Sequence, residues 1–109
     1  MRLCFTLLAL LAIPVNGFSQ NEVDFNRDIR PILSNRCFTC HGPDEAQIQA
    51  DLRLDSLKGA TRDLDGRAAI VPGSPEKSEL LKRVTSTDDD ERMPPLESGD
   101  RLSAKEVDL

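Results

Sequence analysis

Cys37, Phe38, Thr39, Cys40 and His41 form the pattern C-x-x-C-H, and His41 is the single histidine of a 109-residue chain. This pattern reads as a c-type haem attachment site. Two thiols must reach the two vinyl groups on one edge of a porphyrin, and the adjacent imidazole must reach the iron. The spacing puts all three groups at one corner of the ring. A lone histidine is ordinarily a surface or core residue, but that reading loses its weight directly after C-x-x-C.

Three rival chemistries fit less well. A redox-active dithiol needs a stabilised attacking thiolate, usually at a helix start in a thioredoxin-like sheet, and the β-α-β pattern is missing. Structural zinc requires four ligands, whereas Cys37, Cys40 and His41 supply three. A plain Cys37–Cys40 disulfide is chemically possible in an oxidising compartment, and it is the bland alternative.

An electron-transfer haem needs a second axial ligand, and methionine there raises the potential whereas histidine lowers it. With His41 used, the candidate is Met93 in Arg92-Met93-Pro94-Pro95-Leu96, 52 residues beyond His41. Prolines stiffen the loop, and rigid presentation suits a weak thioether ligand. Met93 is therefore favoured as distal ligand over a role in packing, with an open iron as the alternative. The apolar candidates around the ring are Phe25, Ile29, Leu33, Leu52, Leu54, Ile70, Leu80, Leu81 and Val84. Pro43 is expected to hold a backbone carbonyl toward the free ring nitrogen of His41.

These residues need elements to hold them. Asp24 predicts a helix cap ahead of a stripe of Phe25, Ile29, Ile32 and Leu33, with Pro31 kinking the helix or restarting it at its own first turn. From Gly42 to Gly73 periodicity is weak. Leu52 and Leu54 alternate with charge as a short extended piece, and a surface excursion leads to a turn after Ala69-Ile70-Val71-Pro72-Gly73. Ser74, Pro75 and Glu76 predict the start of a helix whose buried face is Leu80, Leu81 and Val84. The run Ser86-Thr87-Asp88-Asp89-Asp90-Glu91 lacks the ligand spacing of a calcium loop and predicts a solvated turn. Leu102, Ser103, Glu106 and Val107 form a capping box with a hydrophobic staple. The helix they open stops at Leu109, so the sequence reads as the front portion of something longer.

Residues 1–19 read as a secretory signal peptide: Arg2, an apolar run through Ile13, then small residues, with cleavage after Gly17 or Ser19. The run is too short to span a bilayer. Cys4 leaves with it and is given no role. Beyond it lies a single domain, residues 20–109, with thirteen Lys and Arg against nineteen acids. That formal charge of -6 argues against nucleic acid as a partner and serves solubility. With no Trp, no Tyr and four Phe in the chain, the core is thin and needs a supplement; a large apolar cofactor would provide it. No constellation of catalytic acid, base or nucleophile is visible, and Asp44, Glu45 and Arg53 read as solvated surface.

Several segments together resemble the planctomycete-type cytochrome c domain: VDFNRDIRPILSNRC at 23–37, CHGPD at 40–44, ADLRLD at 50–55, AIVPG at 69–73, PEKSEL at 75–80 and ERMPP at 91–95. The resemblance runs from about residue 23 to the end. It implies an all-α, class I-like cytochrome fold, thioether bonds at Cys37 and Cys40, His41 as proximal ligand and Met93 as distal ligand. In the family the closing helix continues through a longer apolar stretch, and the first and last helices pack together. A chain without that contact is expected to be less stable or to be a fragment.

The sequence thus predicts an exported, periplasmic or otherwise extracytoplasmic module. One covalently attached haem c cycles between Fe(II) and Fe(III), and electrons pass to a redox partner protein or a downstream domain. The chain is read as an electron carrier and not an enzyme. Two alternatives are the redox module of a fused or partner oxidoreductase, and an open-iron haem that binds or senses a small ligand.

Overall fold

The computed structural model describes residues 22–109; the expected signal peptide lies outside them. Helices and turns account for the architecture, and the described residues contain no sheet, only one isolated bridge between Leu64 and Arg67. The fold is all-α, as expected.

Asp24 caps the first helical segment, its side chain accepting from the Arg27 N–H at 2.8 Å while its own N–H donates to Asp28 at 2.8 Å. That segment begins as a π-helical turn, Phe25–Ile29, and tightens into α1, Arg30–Arg36. Pro31 sits in the first turn of α1, where its missing N–H leaves no partner wanting. The change of helix type at this point is the restart that the proline predicts. The stripe is only partly used: Leu33 is buried, but Phe25 remains 55% exposed.

Cys37 closes α1 and opens the single turn α2, Phe38–His41. The last carbonyls of that turn find partners far along the loop. Gln49 N–H donates to Cys40 at 2.9 Å, and Leu54 N–H donates to His41 at 2.7 Å. Helix ends leave such carbonyls free, and here they draw residues 42–54 back onto α2. A 3₁₀ turn, Glu45–Gln47, capped by Asp44, interrupts the loop. Asp44 is thus structural as well as solvated. Ala50 and Asp51 adopt left-handed conformations (φ 52° and 56°), which non-glycine residues seldom do. Arg62 holds them, bonding both the Asp51 carbonyl and its carboxylate.

The short α3, Leu57–Ala60, is capped by Ser56. Leu54, Ala60 and Ala69 form the main core cluster, with Cys37, Phe38, Leu52, Ile70 and Leu80 packed against it. No side chain among the described residues is completely enclosed, so the core is as thin as the composition implies.

The helix expected from Ser74 begins later. Pro75–Lys77 is a separate 3₁₀ turn, and α4, Glu79–Thr85, starts after Ser78. Ser78 is buried; its hydroxyl accepts from Val71 N–H at 2.9 Å and donates to the Ser74 carbonyl at 3.0 Å. That pair of bonds folds the backbone into a turn where a continuous helix would need it straight. The first N–H groups of α4 donate to Ala68 (3.0 Å) and Ala69 (2.9 Å), which fixes the helix to the 67–71 segment. Val84 is buried, with Leu80 and Leu81 half-buried.

Residues 87–91 form the exposed turn expected of them, organised by Asp88. After a 3₁₀ turn at Leu96–Ser98 comes α5, Ala104–Asp108, opened by the capping box between Ser103 and Glu106. Short as it is, α5 meets the first helix. Arg36 pairs with Glu106 at 3.7 Å and donates to the Asp100 carbonyl at 2.8 Å. The expected loss of contact between first and last helices is corrected to this extent: a polar clamp joins them.

Candidate functional site

In a helical turn, residues at i, i+3 and i+4 share a face. Because α2 is one turn beginning at Cys37, it carries Cys37, Cys40 and His41 on that common face. Tight packing follows immediately. A Cβ on Gly42 would stand 2.2 Å from the Phe38 carbonyl oxygen, so the chain leaves α2 through a space that only glycine fits. Sequence reasoning gave Gly42 no role of its own, although its position directly after the histidine was the available signal.

The His41 ring is oriented by the backbone. Its Nδ1 lies 3.1 Å from the Leu52 carbonyl oxygen. A carbonyl can only accept, so the proton sits on Nδ1 and Nε2 is left as the lone-pair donor for a metal. This corrects the expectation for Pro43: the orienting carbonyl comes from Leu52, which the Leu54–His41 backbone bond delivers to the right place.

A cavity of about 660 Å³ opens beside this turn, lined by Cys37, His41, Leu52, Leu54, Leu80 and Met93 among others. Its volume lies within the roughly 300–1,000 Å³ typical of small-molecule and cofactor sites. The structure therefore brings His41 and Met93, 52 residues apart, to one cavity. Cys40 stays half-buried on the same turn but outside the cavity lining. Of the apolar candidates, Leu52, Leu54 and Leu80 line it. Phe25, Ile29, Leu33, Ile70, Leu81 and Val84 do not. The rest of the lining is Ala50, Leu64, Ala68, Ala69 and seven charged residues.

Both thiols are free. Burial pushes the Cys37 thiol up from its ordinary value, with Arg36 opposing in part. Among the described residues no three His, Cys, Asp or Glu side chains converge to hold a metal ion by protein ligands alone. A porphyrin, which supplies four equatorial nitrogens of its own, asks for only one or two axial side chains, and the donor set of His41 and Met93 suits that demand.

Charge is concentrated at the rim. Glu79 lies 3.2 Å from Arg83, 3.5 Å from Arg67 and 3.6 Å from Lys82. Burial would push its carboxyl up, but Lys82, Arg83 and Arg67 together hold it below the usual range. The Glu79 carboxylate is thus shared among three cations, while Asp51, Asp63 and Asp65 add negative charge elsewhere on the lining. Arg53, expected to be solvated surface, is instead half-buried against Asp55 in a two-pronged bond of 3.0 and 2.7 Å.

The Met93 loop is pinned to α4. Met93 N–H donates to the Arg83 carbonyl at 3.0 Å, and the Arg83 side chain donates to the Glu91 carbonyl at 3.3 Å. Arg92 is buried and bonds the carbonyls of Pro94 and Gly99. Neither arginine was singled out from sequence, since an arginine in a charged run carries no distinctive pattern.

No curated protein and no solved structure matches the chain significantly. Among the described residues no helix is long and apolar enough to cross a membrane. The sequence profile of the family described as Planctomycete cytochrome C matches residues 37–97, from the first motif cysteine past Met93. That span is narrower than the resemblance read from residue 23 onward, yet it exceeds half the chain and contains the whole cavity lining. With α2, its oriented histidine and the methionine loop all inside the matched span, the chain belongs to the planctomycete cytochrome C family, and an electron-transfer role follows from that membership.

Proposed function

We propose that this chain is an extracytoplasmic electron-transfer module carrying one haem c, tethered at Cys37 and Cys40 and ligated by His41 and Met93. The observation that carries this reading is the meeting of His41, its Nδ1 engaged by Leu52, and Met93 in one cavity of cofactor size.

Each residue has a stated task. Cys37 and Cys40 provide the sulfurs for two thioether bonds. His41 presents Nε2, and the Leu52 carbonyl, by accepting from Nδ1–H, fixes the ring's orientation and makes the imidazole a better donor. Leu52, Leu54 and Leu80 exclude water and lower the local dielectric. Met93 offers a thioether, a ligand that favours the reduced metal. When bound, the haem would supply a one-electron Fe(II)/Fe(III) couple; the polypeptide contributes ligands and surroundings.

A redox partner protein or a downstream domain is the expected source or destination of the electron. The acidic balance of the chain, 19 acids against 14 bases, favours a partner with a basic docking face. The leader-like residues 1–19 support export.

The test is expression with the leader in a host that matures c-type haem, followed by denaturing-gel haem staining and optical spectra. Haem that survives denaturation, lost in Cys37→Ala and Cys40→Ala together, is the expected result. A weak long-wavelength ferric band, absent in Met93→Ala, is expected for methionine ligation. Protein that reaches the periplasm folded but without covalent haem would overturn the reading in favour of a Cys37–Cys40 disulfide.

A further inference from the structure

Arg92 is the one charged residue among the described residues that is buried, at 8% exposure. No carboxylate among them lies within ion-pair distance of it. Burying an unpaired cation is expensive, so its hydrogen bonds should reveal what it holds. Nε donates to the Pro94 carbonyl at 3.1 Å, and one Nη donates to the Gly99 carbonyl at 3.2 Å. Its own backbone N–H donates to Asp88 at 2.9 Å. The guanidinium therefore ties together the segment that follows Met93, from Pro94 to Gly99, while the backbone of the same residue ties the segment before Met93 to the turn at Asp88.

The rest of the loop is secured from outside by Arg83, through its carbonyl to Met93 N–H and its side chain to Glu91. Arg92 is the internal brace. Two carbonyls five residues apart are reached by one planar fork, which lysine, a point donor on a flexible stem, does not reproduce.

We infer that Arg92 is a positioning residue for the sixth ligand, holding Met93 over the cavity and keeping a buried positive charge with no carboxylate partner one residue from that ligand. This rests on the proposed ligation by Met93. The brace keeps the thioether in place against competing ligands. The charge, in surroundings of low dielectric, favours the state with one electron more and so raises the reduction potential. The two effects are separable, because Arg92→Lys keeps the charge and loses the fork, while Arg92→Met keeps the length and loses both.

The experiment uses the full haem-loaded chain and compares wild type, Arg92→Lys, Arg92→Met and Met93→Ala. Three properties are read: the long-wavelength ferric band, the midpoint potential, and the affinity for imidazole, which competes with methionine at ferric iron. Arg92→Lys is expected to hold a near-wild-type potential but to bind imidazole about tenfold more tightly, the equivalent of one charge-assisted hydrogen bond lost from the loop. Arg92→Met is expected to weaken the band, lower the potential and bind imidazole more tightly still. If Arg92→Met fails to fold, the lysine variant decides by its imidazole affinity. Wild-type imidazole affinity in Arg92→Lys, with the band present in wild type and lost in Met93→Ala, overturns the role of Arg92 alone. A wild-type spectrum that lacks the band and is unchanged in Met93→Ala overturns ligation by Met93, and the role of Arg92 with it.

Discussion

At the scale of single residues, the site depends on positions where no other side chain or backbone path would serve. Gly42 is the clearest. Its φ of -116° is open to any residue, but a Cβ there would meet the Phe38 backbone. Gly42→Ala is expected to force α2 apart and destabilise the protein by about 1–3 kcal/mol, as overpacking does. Thermal unfolding of the haem-loaded variant, with the yield of covalent haem beside it, measures the effect. Cys37, Cys40 and His41 stood out as candidates because their types and spacing are rare without a shared chemistry, and Met93 because it is the single methionine beyond the leader. The Leu52 carbonyl was not legible, since every residue has one and only the fold decides which arrives at Nδ1. Arg92 was hidden for a related reason: an arginine between Glu91 and Met93 looks like surface until its burial is known.

Among the elements, capping was readable and helix continuity was not. Asp24 and Ser103, expected as caps, each accept from the N–H three residues on, the bond that short polar side chains at helix starts are known for; Ser56 does the same without having been singled out, and Ser74, expected to cap, instead donates its hydroxyl to Glu76. The break at Ser78 could not be anticipated, because it depends on a hydroxyl that is buried only once Val71 has folded over it. Ser103→Ala removes one half of the α5 capping box and is expected to destabilise the protein by about 1 kcal/mol, seen as earlier exchange of the Glu106 and Val107 amides. The start of the first helix should respond to acid. The hydrogen bond from Arg27, with a backbone bond from Asp24, holds the Asp28 carboxyl at about 2, below its ordinary 3.8. A lowered carboxylate stabilises the fold above its unfolded value and loses that effect as pH falls through its folded value. The 24–29 turn should therefore loosen as pH drops from about 4 to about 2. In Asp28→Asn that part of the acid response should be missing, which amide exchange resolved by residue would register.

For the whole molecule the limiting quantity is buried apolar volume. Leu54 is 4% exposed and touches the core cluster while lining the cavity. Leu54→Ala should remove about 2–5 kcal/mol, a large part of the roughly 5–15 kcal/mol that holds a domain folded. Denaturant titration of the haem-loaded variant should show a clearly lower midpoint. The all-helical class was readable through the family resemblance and the thin core from composition, whereas the polar clamp of Arg36 on α5 was not, because ion pairs across long separations leave no periodic trace.

The bond between His41 and Leu52 closes a loop of only eleven residues. Bringing Met93 to the same cavity spans 52, which costs about 1.4 kcal/mol more in loop entropy. In the proposed haem site the two halves are thus unequal in their order of assembly: the His41 half can form early and persist through partial unfolding, and the Met93 half arrives last and leaves first. Under heat or denaturant, the proposed methionine ligation should fail as a separate, earlier event, with the imidazole still in its place.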